Sequence, residues 1–227
     1  MNLLILGKGK TGSLVAEVAG ERGHKVSALD SKDNADSHGL TGESLSGVDA
    51  VIDFTNPEAV LKNISACARL GVNVVVGTTG WYSEFSYVQK LIEENKTGLV
   101  YGSNFSVGVN IFFDIARAAG SAAAHGYTMK IVERHHQHKK DAPSGTAVSI
   151  QQVIKKSSGV EAEITSVREG ETIGTHVILL DSPTDTMMLV HDAKSRRGFA
   201  EGAVRAAEWI KGKKGLYDFR EIFKELK

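Results

Sequence analysis

Met1-Asn2-Leu3-Leu4-Ile5-Leu6-Gly7-Lys8-Gly9-Lys10-Thr11-Gly12 decides the fold. Leu3 to Leu6 is a short apolar run of strand character. The glycines follow at once, and Leu14, Val15, Val18 and Ala19 then recur at helical spacing. Lys25 to Leu29 reads as a second strand and ends at Asp30. Strand, G-x-G-x-x-G, helix, strand and acid in that order make a dinucleotide-binding βαβ unit. Gly7 permits the tight turn, Gly9 brings a pyrophosphate close to the backbone, and Gly12 lets helix and strand pack closely. Asp30 is placed to accept from the adenosine ribose hydroxyls. It repels a 2′-phosphate, and Lys32 works against that, so NADH is expected to serve at least as well as NADPH.

Downstream the pattern continues. Ser31 to Gly47 is polar and reads as loop, and Asp49 to Phe54 as a third strand. Thr55-Asn56-Pro57-Glu58 starts a helix that Gly71 stops. Val72 to Val76 is a continuous apolar run of the buried parallel type. It ends in Gly77-Thr78-Thr79-Gly80, small hydroxyl residues at a strand's carboxyl end, where open α/β sheets bind ligands. A helix over 84–95 and a strand over 98–101 lead to Gly102-Ser103-Asn104-Phe105, in which Asn104 can hydrogen-bond a nicotinamide or ribose, or simply form a turn. Near Asn104 the layout changes. Ile111, Phe112, Ile115 and Ala116 mark a helix reaching Ala124, and strands are expected over 127–132, 161–168, 176–181 and 186–191. Residues 199–210 form a helix, 212–215 a turn, and Asp218 caps a last short helix. The fold class is therefore α/β: a Rossmann-like, mostly parallel sheet domain over 1–104, then an α+β domain over 105–198 with an open mixed or antiparallel sheet.

The chemistry concentrates in Glu133-Arg134-His135-His136-Gln137-His138-Lys139-Lys140-Asp141-Ala142-Pro143-Ser144-Gly145-Thr146-Ala147. Ser144 can cap the helix that carries Ala147, Ile150, Val153 and Ile154 inward. A helix N-terminus with Gly145, the Thr146 hydroxyl and Lys139 suits an anionic ligand, and His135 or His136 can pass a proton near neutrality. Two other readings stand beside this one. The stretch can be a solvated polar loop, or His136 and His138 can ligate a metal. The lysines would repel a cation and neither an acid nor a Cys lies at obvious ligand spacing, so no metal is expected.

With 227 residues, 27 basic and 27 acidic, the chain has no formal net charge. That argues against nucleic acid or an anionic membrane as partner. The one cysteine, Cys67, excludes an internal disulfide framework and fits a reducing compartment. The first residues do not read as a signal peptide and no run is long enough to span a bilayer, so a cytoplasmic protein is expected.

These segments together resemble the 4-hydroxy-tetrahydrodipicolinate reductase family, also called dihydrodipicolinate reductases, of lysine biosynthesis. Gly7–Gly12, Asp53-Phe54-Thr55 with Pro57-Glu58, and Gly77–Gly80 carry the resemblance, with Asn104-Phe105-Ser106-Val107-Gly108-Val109-Asn110, the His135–Ala147 stretch and the tail from Phe199 to Asp218. The resemblance implies NADH- or NADPH-dependent reduction of a cyclic imine dicarboxylate with release of water. It implies His135 as the proton donor and Lys139 as a second one, with His136, Ser144, Gly145 and Thr146 on the substrate. It further implies cofactor contacts at Gly7, Lys8, Gly9, Lys10, Thr11, Gly12, Asp30, Gly77, Thr78, Thr79, Gly102, Ser103, Asn104 and Phe105. Residues 199–227 would return to the nucleotide domain, and the middle sheet would make a homotetramer. The stretches 31–48 and 169–175 are short for the family, so the first sheet is expected to lack a strand or use a poorer one. Another small imino- or amino-acid reductase and a non-catalytic nucleotide-binding regulator are the competing readings. Neither has a need for Lys139 together with Ser144-Gly145-Thr146.

Overall fold

The structure, a computed structural model, describes residues 1–226. Its elements are β1 (Asn2–Leu6), α1 (Lys10–Glu21), β2 (Lys25–Leu29), β3 (Ala50–Asp53), α2 (Pro57–Arg69), β4 (Asn73–Val76), α3 (Phe85–Asn95) and β5 (Gly98–Tyr101). There follow α4 (Val107–Ala119), β6 (Thr128–His135), α5 (Gly145–Ser158), β7 (Glu163–Arg168), β8 (Thr175–Asp181) and β9 (Thr186–Asp192), then α6 (Arg197–Ile210), β10 (Gly215–Asp218) and α7 (Phe219–Ile222). The chain divides into two compact units, Met1–Val107 with the chain from Arg197 onward, and Gly108–Arg196. Lys227, the end of the expected C-terminal return, lies outside the described residues.

The first unit is a parallel sheet in the order β10-β5-β4-β3-β1-β2. Its central strands are apolar on both faces because helices cover both. Leu3, Ile5 and Ile52 pack with Val15, Val18, Ala203 and Val204 of α1 and α6. Leu4, Leu6 and Val51 pack with Val60, Ile64, Val88 and Ile92 of α2 and α3. Asn56 caps α2 by accepting from the Ala59 N–H at 2.9 Å, with Pro57 in the first turn. No strand forms over residues 31–48, where a short 3-10 turn at Ala35–Ser37 is followed by Leu40 and Leu45, both buried against the sheet. The sheet still has six strands, because β10 pairs in parallel with β5. This corrects the reading of 212–215 as turn alone: Gly215 already belongs to a strand.

In the second unit the sheet order is β7-β6-β8-β9. It is mixed, since β6 and β7 run parallel and the other pairs antiparallel. Met129, Ile131, Glu133 and His135 alternate onto one buried face of β6. Ile131 and Ile178 meet Ile150 and Ile154 of α5 and Phe112, Phe113 and Ala116 of α4. The expectation that the α4 helix reaches Ala124 fails. The helix ends at Ala119 and tightens into a 3-10 turn over Gly120–His125. Ile111 and Ile115 are 48% and 41% exposed, while Val109, Phe112 and Phe113 turn inward.

Candidate active site

Because every strand of the first sheet is parallel, their carboxyl ends lie along one edge. That edge gathers the loops after β1, β3 and β4. A cavity of ≈ 660 Å³ is lined by Gly7, Lys8, Gly9, Asp30, Asn34 and Thr55, among others. A second, ≈ 330 Å³, lies against Gly9, Lys10, Thr11, Gly12, Gly77, Thr78 and Thr79. Gly7 has φ +96°, and a Cβ on Gly12 would sit 1.8 Å from the Gly7 carbonyl oxygen, so the turn closes only with glycine at both. A Cβ on Gly9 would meet nothing within 4 Å. That open approach at the N-terminus of α1 is where a pyrophosphate fits. Asp30 accepts from the backbone N–H groups of Lys32 at 2.8 Å and Asp33 at 3.0 Å. Those bonds, with Lys8 and Lys32 nearby, hold its carboxyl below the usual range. Lys8 reaches Asp33 at 3.1 Å and Asp30 at 3.9 Å.

Three expected contacts are engaged internally. The Thr78 hydroxyl donates to Asp53 Oδ1 at 2.8 Å and accepts from the Thr55 N–H at 2.8 Å. It ties the turns after β3 and β4 together. Asp53 is fully buried, and Asn63 donates to its other oxygen at 2.8 Å. The ring of Phe105 packs into the core, 4.6 Å from Phe219 between centroids, which leaves its backbone for any ligand. Asn104 Oδ1 accepts from the Ser106 N–H at 2.9 Å. Gly102 to Phe105 follow β5, and they line neither of the two cavities described.

The second unit assembles the other group. His135 ends β6 and is 8% exposed. Its Nδ1 bonds to Glu133, which is fully buried. Glu133 takes a bidentate pair from Arg168, at 3.0 Å to Oε2 and 2.7 Å to Oε1, and accepts from the Ser144 N–H at 3.2 Å. Burial opposes ionisation of Glu133, but Arg168, Ser166 and His135 outweigh it and hold the carboxyl down at about 2. Burial pushes the His135 imidazole below its usual value, with Glu133 acting the other way. His176 lies beside it, ring centroids 5.3 Å apart. Burial, with His135 and His191 nearby, pushes its imidazole down to about 4.

Ser144 begins α5 as expected, its hydroxyl accepting from the Ala147 N–H at 3.2 Å and bonding His176 Nε2 at 3.1 Å. A Cβ on Gly145 would meet nothing within 4 Å, so the helix start is open to a ligand. Lys139 pairs with Asp141 at 2.8 Å. The His136 N–H donates to the Thr172 carbonyl at 2.6 Å. Thus His135 and Ser144 converge on one carboxylate, that of Glu133, with Gly145 next to Ser144 in the chain and Lys139 on the loop between. Sequence reasoning alone misses Glu133, Arg168 and His176. The signal available was the spacing of Glu133 and His135, two apart on one strand and so on one face. Among the described residues no group of three or more His, Cys, Asp or Glu side chains is arranged to hold a metal ion.

Family models for dihydrodipicolinate reductase match the chain in two parts, the N-terminal model over residues 1–105 and the C-terminal model over 108–223. The chain belongs to the dihydrodipicolinate reductase family. Among its relatives, the 4-hydroxy-tetrahydrodipicolinate reductase of Christiangramia forsetii is 35% identical, over 100% of this chain and 99% of its own. That of Neisseria meningitidis is 38% identical over 77% of this chain and 72% of its own. A dipicolinate-bound dihydrodipicolinate reductase from a Paenisporosarcina species superposes with TM-score 0.79 at 27% identity, covering 98% of this chain and 99% of that one. As a dihydrodipicolinate reductase the chain is an NAD(P)H-dependent oxidoreductase of lysine biosynthesis with a Rossmann-like nucleotide unit, and a different imino- or amino-acid reductase is not favoured. No helix among the described residues is long and apolar enough to cross a membrane.

Proposed function

We propose that the chain reduces (2S,4S)-4-hydroxy-2,3,4,5-tetrahydrodipicolinate to tetrahydrodipicolinate with loss of water, using His135 as proton donor. The observation that carries the assignment to His135 is the buried Glu133–His135 pair beside the open, capped start of α5. When bound, the reduced nicotinamide supplies a hydride. Loss of the substrate hydroxyl as water leaves an alkene conjugated to the imine, and after reduction one ring carbon still needs a proton. His135 supplies it, and Lys139 is the second donor in reach of the same loop. The N-terminal turn at Ser144, Gly145 and Thr146, with His136 and Lys139, holds the substrate carboxylates and so orients the ring.

Residues 1–104 with 199–227 serve as the dinucleotide-binding domain and 105–198 as the substrate-binding and oligomerisation domain. The phosphates lie on Gly7 to Gly12, and Gly77, Thr78, Thr79 and Gly102 to Phe105 border the nicotinamide end. Asp30 carries the ribose hydroxyls, so NADH serves at least as well as NADPH. Support for a homotetramer comes from β9, whose Met187, Met188 and Val190 are exposed apolar side chains on an outer strand of the sheet. A cytoplasmic location accords with a single buried thiol and a biosynthetic reaction. The deciding assay couples the enzyme to the aldolase-type synthase that makes its unstable substrate and follows oxidation of NADH. Turnover that a planar pyridine dicarboxylate inhibits competitively is expected; NADH binding without turnover would refute the proposal.

A further inference from the structure

The register of the second sheet builds a framework around His135. In one row across the strands, Glu133 of β6 lies between Ser166 of β7 and His176 of β8, with His191 of β9 beyond. In the next row His135 lies beside Arg168. On the other side, Gly174 comes against the imidazole: a Cβ there would sit 2.9 Å from Nε2. Glu133 is therefore boxed in by a cation, two histidines and a helix start, without access to water.

We propose that Glu133 and Arg168 are positioning residues for proton transfer, an inference that rests on the assignment of His135 as donor. Arg168, held also by the Asp141 carbonyl at 2.6 Å, keeps the buried carboxylate ionised. An ionised carboxylate only accepts, so His135 Nδ1 carries the hydrogen and Nε2 is the atom that exchanges a proton with substrate. The same carboxylate fixes the Ser144 N–H, so one buried anion sets both the imidazole and the turn that receives the substrate carboxylate. In the transfer, the Nε2–H of the imidazolium gives its proton to the ring carbon, and the electron pair of that bond stays on nitrogen. The neutral imidazole left behind is the Nδ1–H form that Glu133 holds, and water returns a proton to Nε2. The charged and titratable groups around the ring are Glu133, Arg168, Lys139 and His176, and of these Glu133 alone is anionic.

The whole enzyme serves for the test. With nitrogen-15-labelled histidine, wild-type spectra are expected to show His135 as the Nδ1–H tautomer, its signals identified by their loss in His135→Ala. Glu133→Gln is expected to lower kcat by about 10²–10⁴-fold with a smaller change in KM. It also moves the limb of kcat/KM that reports the imidazole to lower pH, because the neighbouring anion is gone. A residue that only holds the fold together would leave that limb in place. An Nε2–H tautomer in the wild type overturns the proposal even if the variant does not fold, and so does an unmoved limb in a folded variant. Full turnover by His135→Ala removes the donor assignment itself. Loss of turnover there, with a wild-type limb in Glu133→Gln, refutes the positioning role alone.

Discussion

Acidification is expected to destabilise the second unit through His176. The residue is 4% exposed, and its Nδ1 has no hydrogen-bond partner, so a proton added there finds no acceptor. Its folded value is about 4 against 6.5 for a free imidazole. At ~1.36 kcal/mol per pH unit between the two values, the difference is worth about 3 kcal/mol. The sign follows from which state takes up the proton. The unfolded chain protonates first, so stability is complete above the free value and falls as pH drops through that window to the folded one. His135 and His191 are pushed down in the same sense and steepen the slope. Glu133 acts lower, between 4.5 and about 2, and leaves the upper part of the window to the histidines. Urea unfolding followed by far-ultraviolet circular dichroism reads the slope; Trp81 and Trp209 both lie in the first unit and are the wrong reporters. His176→Asn removes the titration and should flatten the slope by about 1.4 kcal/mol per pH unit. Equal slopes in both proteins, or a wild type that gains stability on acidification, would refute the reasoning.

Three more outcomes are expected. His135→Ala lowers kcat by about 10²–10⁴-fold with little loss of NADH affinity, measured by steady-state kinetics and fluorescence titration. Gly12→Ala drives a methyl into the Gly7 carbonyl, a clash at the upper end of the ~1–3 kcal/mol range for overpacking or beyond it, and abolishes NADH binding in calorimetry while the second unit stays folded. Asp30→Asn shifts the ratio of kcat/KM values toward NADPH by a few-fold; a ratio moving toward NADH would reverse the role given to that carboxylate.

Much of the fold was legible because its signals are local. The glycine loop, the Asn56 and Ser144 caps and the apolar runs of β1, β3 and β4 each depend on residues a few positions apart. The sixth strand was not legible: Gly215-Leu216-Tyr217-Asp218 is short and opens with glycine, and only the open edge of β5 makes it a strand. The outward turn of Ile111 and Ile115 was hidden too, since helical spacing identifies two possible faces and the packing of Phe112 and Phe113 selects one. In the site, His135 and Ser144 stood out by residue type. Arg168 did not, because its nearness to Glu133 arises from strand register across 35 residues of sequence. That Thr78 also acts as a strut was not legible, because the buried carboxylate that it serves, Asp53, lies on a different strand.

The late arrival of β10 bears on how the chain is made. Residues 215–218 leave the ribosome long after β5, yet they complete a sheet whose other strands have all emerged by residue 101. Until then β5 has one row of backbone donors and acceptors unpaired, a template for another nascent chain. A message that stalls anywhere in the second unit therefore releases a product with a sticky border, and crowded polysomes are where it would first aggregate.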